Sequence, residues 1–245
     1  MKTAEYDPIA QAYKDSKELP FRKYVETYSL FQMAGNIRGL KVLDLACGEG
    51  FYTRKLKEAK AKEILGVDIS SEMIHLAEAK ERENPMGCRY RVHDVATLPD
   101  LGSFDLVVAM YLLNYAISKD ELLAFCKAAC RQLKPGGRFI GFNDNPSNDL
   151  DYYGTYRKYG FIKQSFFHRK EGDPIRYTFY NADGSQFHFN NYYLHAETYA
   201  VAFSEAGFID FQWRNISLDP AEKENKFWDH FIAHPPVIGL SARKK

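Results

Sequence analysis

The chain is poor in cysteine and has none in a metal-binding rhythm. Four occur in 245 residues, at positions 47, 88, 126 and 130, without the close pairs of a zinc site or the spacing of a redox dithiol. Cys126 and Cys130 stand four apart in ELLAFCKAACRQL, as buried helix cysteines do, and no metal centre is expected. Neither sign of charge is in excess: 33 Lys and Arg face 32 Asp and Glu. No overall field therefore draws a nucleic acid or an anionic membrane surface. Also missing are an apolar run long enough to span a bilayer and the apolar core and cleavage site of a secretory leader. A soluble, cytoplasmic protein is expected, with its oligomeric state open. There are no internal repeats and no low-complexity segment, and 45% hydrophobic residues suffice for one substantial core.

Tyr6, Ile9, Ala10 and Tyr13 repeat at helical spacing, and after Pro20 so do Phe21, Tyr24, Val25 and Tyr28. These predict two amphipathic helices, the second opened by Pro20. From Lys41 short aliphatic runs alternate with helical stretches: KVLDLA, EILGVDI, CRYRVHDV, FDLVVAMYLL and GRFIGFN are separated by FYTRKLKEAKA, SSEMIHLAEAKERE and KDELLAFCKAACRQL. Such alternation implies a parallel sheet with crossover helices. After Phe142 come polar turns and dense aromatics. There RYTFY and SQFHF flank NADG, predicting a hairpin inside an antiparallel insertion. A helix in HAETYAVAFSEAGF and strands in IDFQW and PVIGLSAR close the chain.

VLDLACGEGFYTR places two glycines between the first strand and its helix. A nucleotide triphosphate would need a longer loop ending in Gly-Lys-Ser/Thr, which is absent. A dinucleotide prefers a third glycine three residues after the second, where Thr53 stands. A ligand with a ribose but no phosphate fits better. Gly48 and Gly50 would let backbone approach an amino-acid tail, and Asp68, twenty residues after Gly48, stands where an acid can grip both ribose hydroxyls. Asp94 ends the next strand and could accept from an exocyclic adenine amine. The plainer reading is that both acids cap the helices that follow them, and that Asp44 orders the loop amides.

With these residues in place the sequence resembles the class I S-adenosylmethionine-dependent methyltransferases. VLDLACGEG looks like their glycine-rich motif, GVDIS their ribose-binding acid, HDVATLP their adenine-binding acid, FDLVVAMYLLNY their fourth strand and LKPGGRF their turn into the fifth. YDPIAQAY and SKELPFRKY resemble the lid helices of bacterial small-molecule methyltransferases of secondary metabolism, the toxoflavin-type N-methyltransferases in particular. The resemblance implies an α/β fold with a Rossmann-like, mostly parallel seven-stranded sheet flanked by helices. It implies an N-terminal helical lid over 1–35 and a methyltransferase domain over 36–245, with an antiparallel β cap inserted at about 146–192. It also implies S-adenosylmethionine as cofactor, with backbone from Ala46 through Gly48 to Gly50 along the methionine part, Asp68 on the ribose and Asp94 on the adenine amine. Ile69 and Val95 would flank the adenine ring above a floor that includes Met110.

Methyl transfer from a sulfonium needs alignment and exclusion of water more than dedicated catalytic groups, and a base only where the nucleophile must lose a proton. The resemblance to the small-molecule N-methyltransferases implies a small, aromatic or heterocyclic acceptor, with nitrogen the favoured atom and carbon or oxygen open. Residues after the fourth and fifth strands should face it: Asn114 and Tyr115, then Asn143, Asp144 and Asn145, which otherwise build an Asx turn before Pro146. In SQFHF, Phe187 and Phe189 share one side and His188 the other. Tyr115 and His188 are the candidates for handling a proton. Tyr6 and Tyr13 would close over the site, Tyr6 on the acceptor and Tyr13 on the cofactor, and Arg22 would pair with the cofactor carboxylate. Two other readings stand beside this one: a nicotinamide-dependent oxidoreductase, and a non-catalytic cofactor-binding protein on the same sheet.

Overall fold

The computed structural model describes residues 10–181 and 183–245. A seven-stranded sheet runs through it in the order β3, β2, β1, β4, β5, β10, β9. Its first five strands are β1 (Lys41–Leu45), β2 (Glu63–Asp68), β3 (Arg89–Val92), β4 (Phe104–Met110) and β5 (Leu133–Asp144), all paired in parallel. β10 (Val237–Lys244) is antiparallel to both β5 and β9 (Phe208–Arg214). β1 and β4 are buried on both faces, which is why they read as unbroken aliphatic runs. Period-two alternation sends Val42, Leu106, Val108 and Ile140 into one core, and Leu43, Leu45, Val107, Ala109 and Phe139 into the other.

Helices cover both faces. α1 (Ala10–Asp15), α2 (Tyr28–Ala34), α3 (Phe51–Glu58), α4 (Ser71–Glu83), α5 (Lys119–Gln132), α6 (Ala196–Glu205) and α7 (Asp229–Ala233) follow in chain order. Ser70 caps α4, its Oγ accepting from the Met73 amide at 3.1 Å, and Ser118 caps α5 in the same manner from Glu121. α5 buries Cys126 and Cys130, and all four cysteines are free and buried. The Pro135-Gly136-Gly137 turn is absorbed as an irregularity in β5, whose pairing with β4 jumps from Phe104↔Leu133 to Leu106↔Arg138. Between Pro20 and α2, residues Arg22–Thr27 wind as a π-helical turn, in which Thr27 Oγ1 donates to Arg22 O at 2.7 Å.

A second, antiparallel sheet consists of β6 (Phe161–Gln164), β7 (Pro174–Tyr180) and β8 (Gln186–Tyr192). β7 and β8 are the hairpin expected from RYTFY and SQFHF, with Tyr177 opposite Phe189 and Phe179 opposite Phe187. These four rings are buried and stack, Phe179 and Phe187 at 5.3 Å between centroids. Tyr13 of α1 meets Phe187 and Phe189 edge-on at 6.1 and 6.0 Å. β6 was not expected. Its FIKQ is short, and the alternation is broken by Lys163, which is buried and ion-paired to Asp144 at 2.7 Å.

Candidate active site

The strand order reverses between β2 and β4 on either side of β1, and the glycine turn leaves β1 at that switch point. Ala46, Gly48 and Gly50 all take positive φ, at 57°, 56° and 81°. At Gly48 a Cβ would meet nothing within 4 Å, so its backbone is open to a ligand. At Gly50 a Cβ would lie 2.5 Å from the Tyr90 hydroxyl, so that glycine serves the packing of helix start against strand. We expect Gly50→Ala to cost about 1–2 kcal/mol in left-handed strain alone, and Tyr90→Phe in the same chain to restore part of the further loss. Unchanged denaturant midpoints would refute the clash.

Asp68 ties the turn to the end of β2. Its Oδ2 accepts from the Gly48 amide at 2.7 Å and its Oδ1 from Ser70 at 2.9 Å. Thr53, standing where a dinucleotide fold prefers glycine, donates to Asp44 Oδ2 at 2.6 Å, while Asp44 Oδ1 has no partner. Burial pushes the Asp44 carboxyl up to about 7, against the Thr53 hydroxyl, which works to lower it. A carboxyl raised on folding stabilises the fold at low pH and loses that contribution as pH rises from about 4 to about 7. Between pH 5 and pH 7.5, Asp44→Asn should therefore gain stability relative to the wild type, by up to about 1.4 kcal/mol per pH unit. Chemical unfolding at both pH values checks this, and a constant difference would contradict it.

Over this turn lies a cavity of about 560 Å³, within the roughly 300–1,000 Å³ of small-molecule sites. The turn contributes Ala46 and Gly48, the strand ends contribute Asp68, Ile69, Asp94, Val95 and Met110, and Tyr13, Tyr111, Tyr115, Glu121 and Tyr192 add polar groups to the wall. Ile69 is 37% exposed, an apolar side chain held open beside the cavity. Asp94 Oδ1 caps the following turn through the Ala96 amide at 2.9 Å. Capping and lining thus occur together at both Asp68 and Asp94: a carboxylate has lone pairs enough for a backbone amide and a ligand. The donor and acceptor set fits S-adenosylmethionine: an open glycine backbone, two strand-end carboxylates and apolar walls for a flat base.

Several expected residues lie elsewhere. Arg22 is not in the wall of this cavity. It is 3% exposed, and its Nη1 donates to both carboxylate oxygens of Glu26 at 2.8 and 2.9 Å, which takes it away from a cofactor carboxylate. Gly50 lies behind the wall, against Tyr90. His188 stands on the exposed face of β8, paired in register with Thr178, because the aromatic residues claim the buried face. It meets no cavity. Asn114 is fully buried, and its Oδ1 accepts from the Asp144 amide at 2.8 Å, bracing β5. Asn145 makes the Asx turn, accepting from Ser147 N at 3.0 Å and donating to Pro235 O at 2.9 Å. Tyr6 lies outside the described residues. Among the described residues no group of three or more His, Cys, Asp or Glu could hold a metal ion, and no helix is long and apolar enough to cross a membrane.

Sequence reasoning missed Glu26 and Tyr111. Glu26 is fully buried and accepts from Arg22, from Tyr52 of α3 and from Tyr111, which follows β4. Burial works to lower the Arg22 pKa, but Glu26 and the surrounding tyrosines more than offset it and hold the guanidinium protonated. Burial first, then the Glu26 charge, pushes both tyrosine hydroxyls far above their ordinary range, so they remain donors. Tyr111 adopts φ 70°, an uncommon strain for an aromatic residue, and lines the cavity. Only the i, i+4 spacing of Arg22 and Glu26 hinted at this cluster, and such pairs ordinarily lie on a solvated face.

A model of the methyltransferase domain matches residues 42–137, from β1 into β5. N-demethylindolmycin N-methyltransferase of Streptomyces griseus is 27% identical over 183 residues, 74% of this chain and 74% of that one. Demethylmenaquinone methyltransferase of Lactococcus lactis is 34% identical over 110 residues, 43% of this chain and 42% of that one. This chain thus spans less than half of the second relative. The crystal structure of an S-adenosylmethionine-dependent methyltransferase from Clostridium acetobutylicum shares the fold, with a TM-score of 0.65 at 22% identity over 98% of this chain and 96% of that one. A nicotinamide oxidoreductase is not favoured by any of these. Residues 42–137 thus form a methyltransferase domain, and the chain as a whole shares the Rossmann-like fold of the S-adenosylmethionine-dependent methyltransferases it resembles.

Proposed function

We propose that the enzyme methylates a small, planar, aromatic or heterocyclic acceptor, with nitrogen as the favoured target atom. The observation that carries this is a single cavity whose wall runs from the glycine turn past the ends of β2 and β4 to Tyr13 and Tyr115. In this reading the Gly48 backbone holds the methionine part, Asp68 the ribose and Asp94 the adenine amine, while Ile69, Val95 and Met110 enclose the base. When bound, S-adenosylmethionine supplies an electrophilic methyl group on a sulfonium. Tyr13 and Tyr111 align the acceptor and exclude water, the main requirements of an in-line displacement. In the same reading Tyr115, half-buried at the cavity, accepts a hydrogen bond from a nucleophile that must shed its proton. Residues 1–35 act as a lid and about 146–192 as a cap over the domain formed by 36–245, consistent with the contact of Tyr13 on Phe187 and Phe189. The name of the Streptomyces griseus relative, an N-methyltransferase of demethylindolmycin, supports a nitrogen acceptor and a place in secondary metabolism, and we assign the enzyme to the cytoplasm.

The test is transfer of an isotopically labelled methyl group from S-adenosylmethionine to a panel of N-heterocycles, phenols and carboxylic acids. Turnover is expected with N-heterocycles. Turnover confined to phenols or carboxylic acids would overturn the nitrogen assignment.

A further inference from the structure

Beside the main cavity is a recess of about 20 Å³ that shares Tyr13 and Tyr111 with it as a common wall. At about 20 Å³ it has more room than the roughly 10–15 Å³ that one water needs, enough for the polar edge of a ring but not for the ring itself. Aromatic rings, among them Phe161, Phe179 and Phe189, make up most of its lining. Two buried polar atoms in that lining lack any hydrogen-bond partner: Arg22 Nε, a donor, and Asn191 Oδ1, an acceptor. Arg22 is 3% and Asn191 also 3% exposed, so each forgoes hydration without compensation, a cost of the kind that marks a site made for something else. Glu26 neutralises the guanidinium, so the recess as a whole carries no net charge and gives no preference to a carboxylate.

We propose that this recess is the specificity subsite of the acceptor. It takes the polar edge of a neutral planar heterocycle bearing both a hydrogen-bond acceptor, for Arg22 Nε, and an N–H donor, for Asn191 Oδ1. A cyclic amide or amidine has this edge. The body of the ring remains in the main cavity against Tyr13 and Tyr111, its opposite edge turned toward the cofactor. A site with a buried donor and acceptor rejects analogues lacking either partner, because its own polar groups are then left unpaired. This inference rests on the methyltransferase reading of the main cavity and adds the acceptor class to it.

The experiment measures, by ligand-observed NMR, the binding of 2-quinolone and of 1-methyl-2-quinolone, which lacks the N–H, to the protein saturated with S-adenosylhomocysteine. The wild type should bind 2-quinolone at least tenfold more tightly than its N-methyl analogue. Asn191→Leu should abolish that preference while binding S-adenosylhomocysteine within threefold of the wild type. Equal binding of the two probes to the wild type, no binding of 2-quinolone at millimolar concentration, or a preference that survives in Asn191→Leu would each overturn the proposal and leave the cofactor site standing. The comparison of the two probes on the wild type decides the matter even if the variant does not fold. Failure of S-adenosylhomocysteine itself to bind would defeat the cofactor reading first, and this inference with it.

Discussion

Asp68→Ala should weaken S-adenosylhomocysteine binding about 100-fold with little change in the secondary structure of the protein. The carboxylate already accepts from Gly48 N and Ser70 N, so it both shapes the turn and faces the cavity. A hydrogen bond to a charged group is worth about 1.5–3 kcal/mol. Loss of the grip on two ribose hydroxyls, with slackening of the turn, therefore removes about 3 kcal/mol, or two decades in affinity. Asp68→Asn keeps the size and one acceptor oxygen, and should lose less than Asp68→Ala. Calorimetric titration of the three proteins checks the order. Equal affinity in the wild type and Asp68→Ala would mean that the carboxylate only caps the turn.

Glu26→Ala should be the most destabilising of the substitutions considered, at about 3–5 kcal/mol. It would strand the Arg22 guanidinium in the interior and remove the acceptor of the Tyr52 and Tyr111 hydroxyls. For a chain of this length the melting temperature should fall by about 10 °C. Replacing both members, Arg22→Met with Glu26→Leu, should cost less than Glu26→Ala alone, since an unpaired buried charge is worse than none. A loss in Glu26→Ala no larger than that of an exposed substitution would show that water reaches the pair. Because Tyr111 also lines the main cavity, the same variant links the stability of the N-terminal helices to the shape of the site.

The sheet was legible because β1, β2 and β4 are aliphatic runs between helical stretches, and because the punctuation is local: Gly48 and Gly50 after β1, Ser70 and Ser118 ahead of their helices. The hairpin of β7 and β8 was legible for the same reason, alternating aromatics around an Asp-Gly turn. The strand-end acids were readable from spacing, since Asp68 must reach Gly48 across adjacent strands whose residues Leu45 and Val67 are in register. What could not be read was set by tertiary contact. β6 pairs with β7 and buries Lys163 against Asp144, two residues with no local signal to join them. The π-helical turn brings Arg22 and Glu26 inward, and their burial depends on α3 and the end of β4 arriving with Tyr52 and Tyr111. The period-two alternation of SQFHF placed His188 opposite the phenylalanines, but it could not say which face would meet solvent. Asn114 and Asn145 follow the correct strands, yet the Asn114 Oδ1 and the Asn145 amide are spent on the backbone, because buried strand ends need those bonds, while Asn114 Nδ2 has no partner.

The central claim is that the turn after β1 and the acids ending β2 and β3 hold S-adenosylmethionine. Calorimetric titration of the wild-type protein with S-adenosylhomocysteine, beside an identical titration with NADH, tests it most directly. Micromolar binding of S-adenosylhomocysteine, on the order of −7 to −8 kcal/mol, with none of NADH, is the result the account predicts. Binding of NADH alone, or of neither ligand by a folded protein, would contradict it and leave a fold without the function read into it.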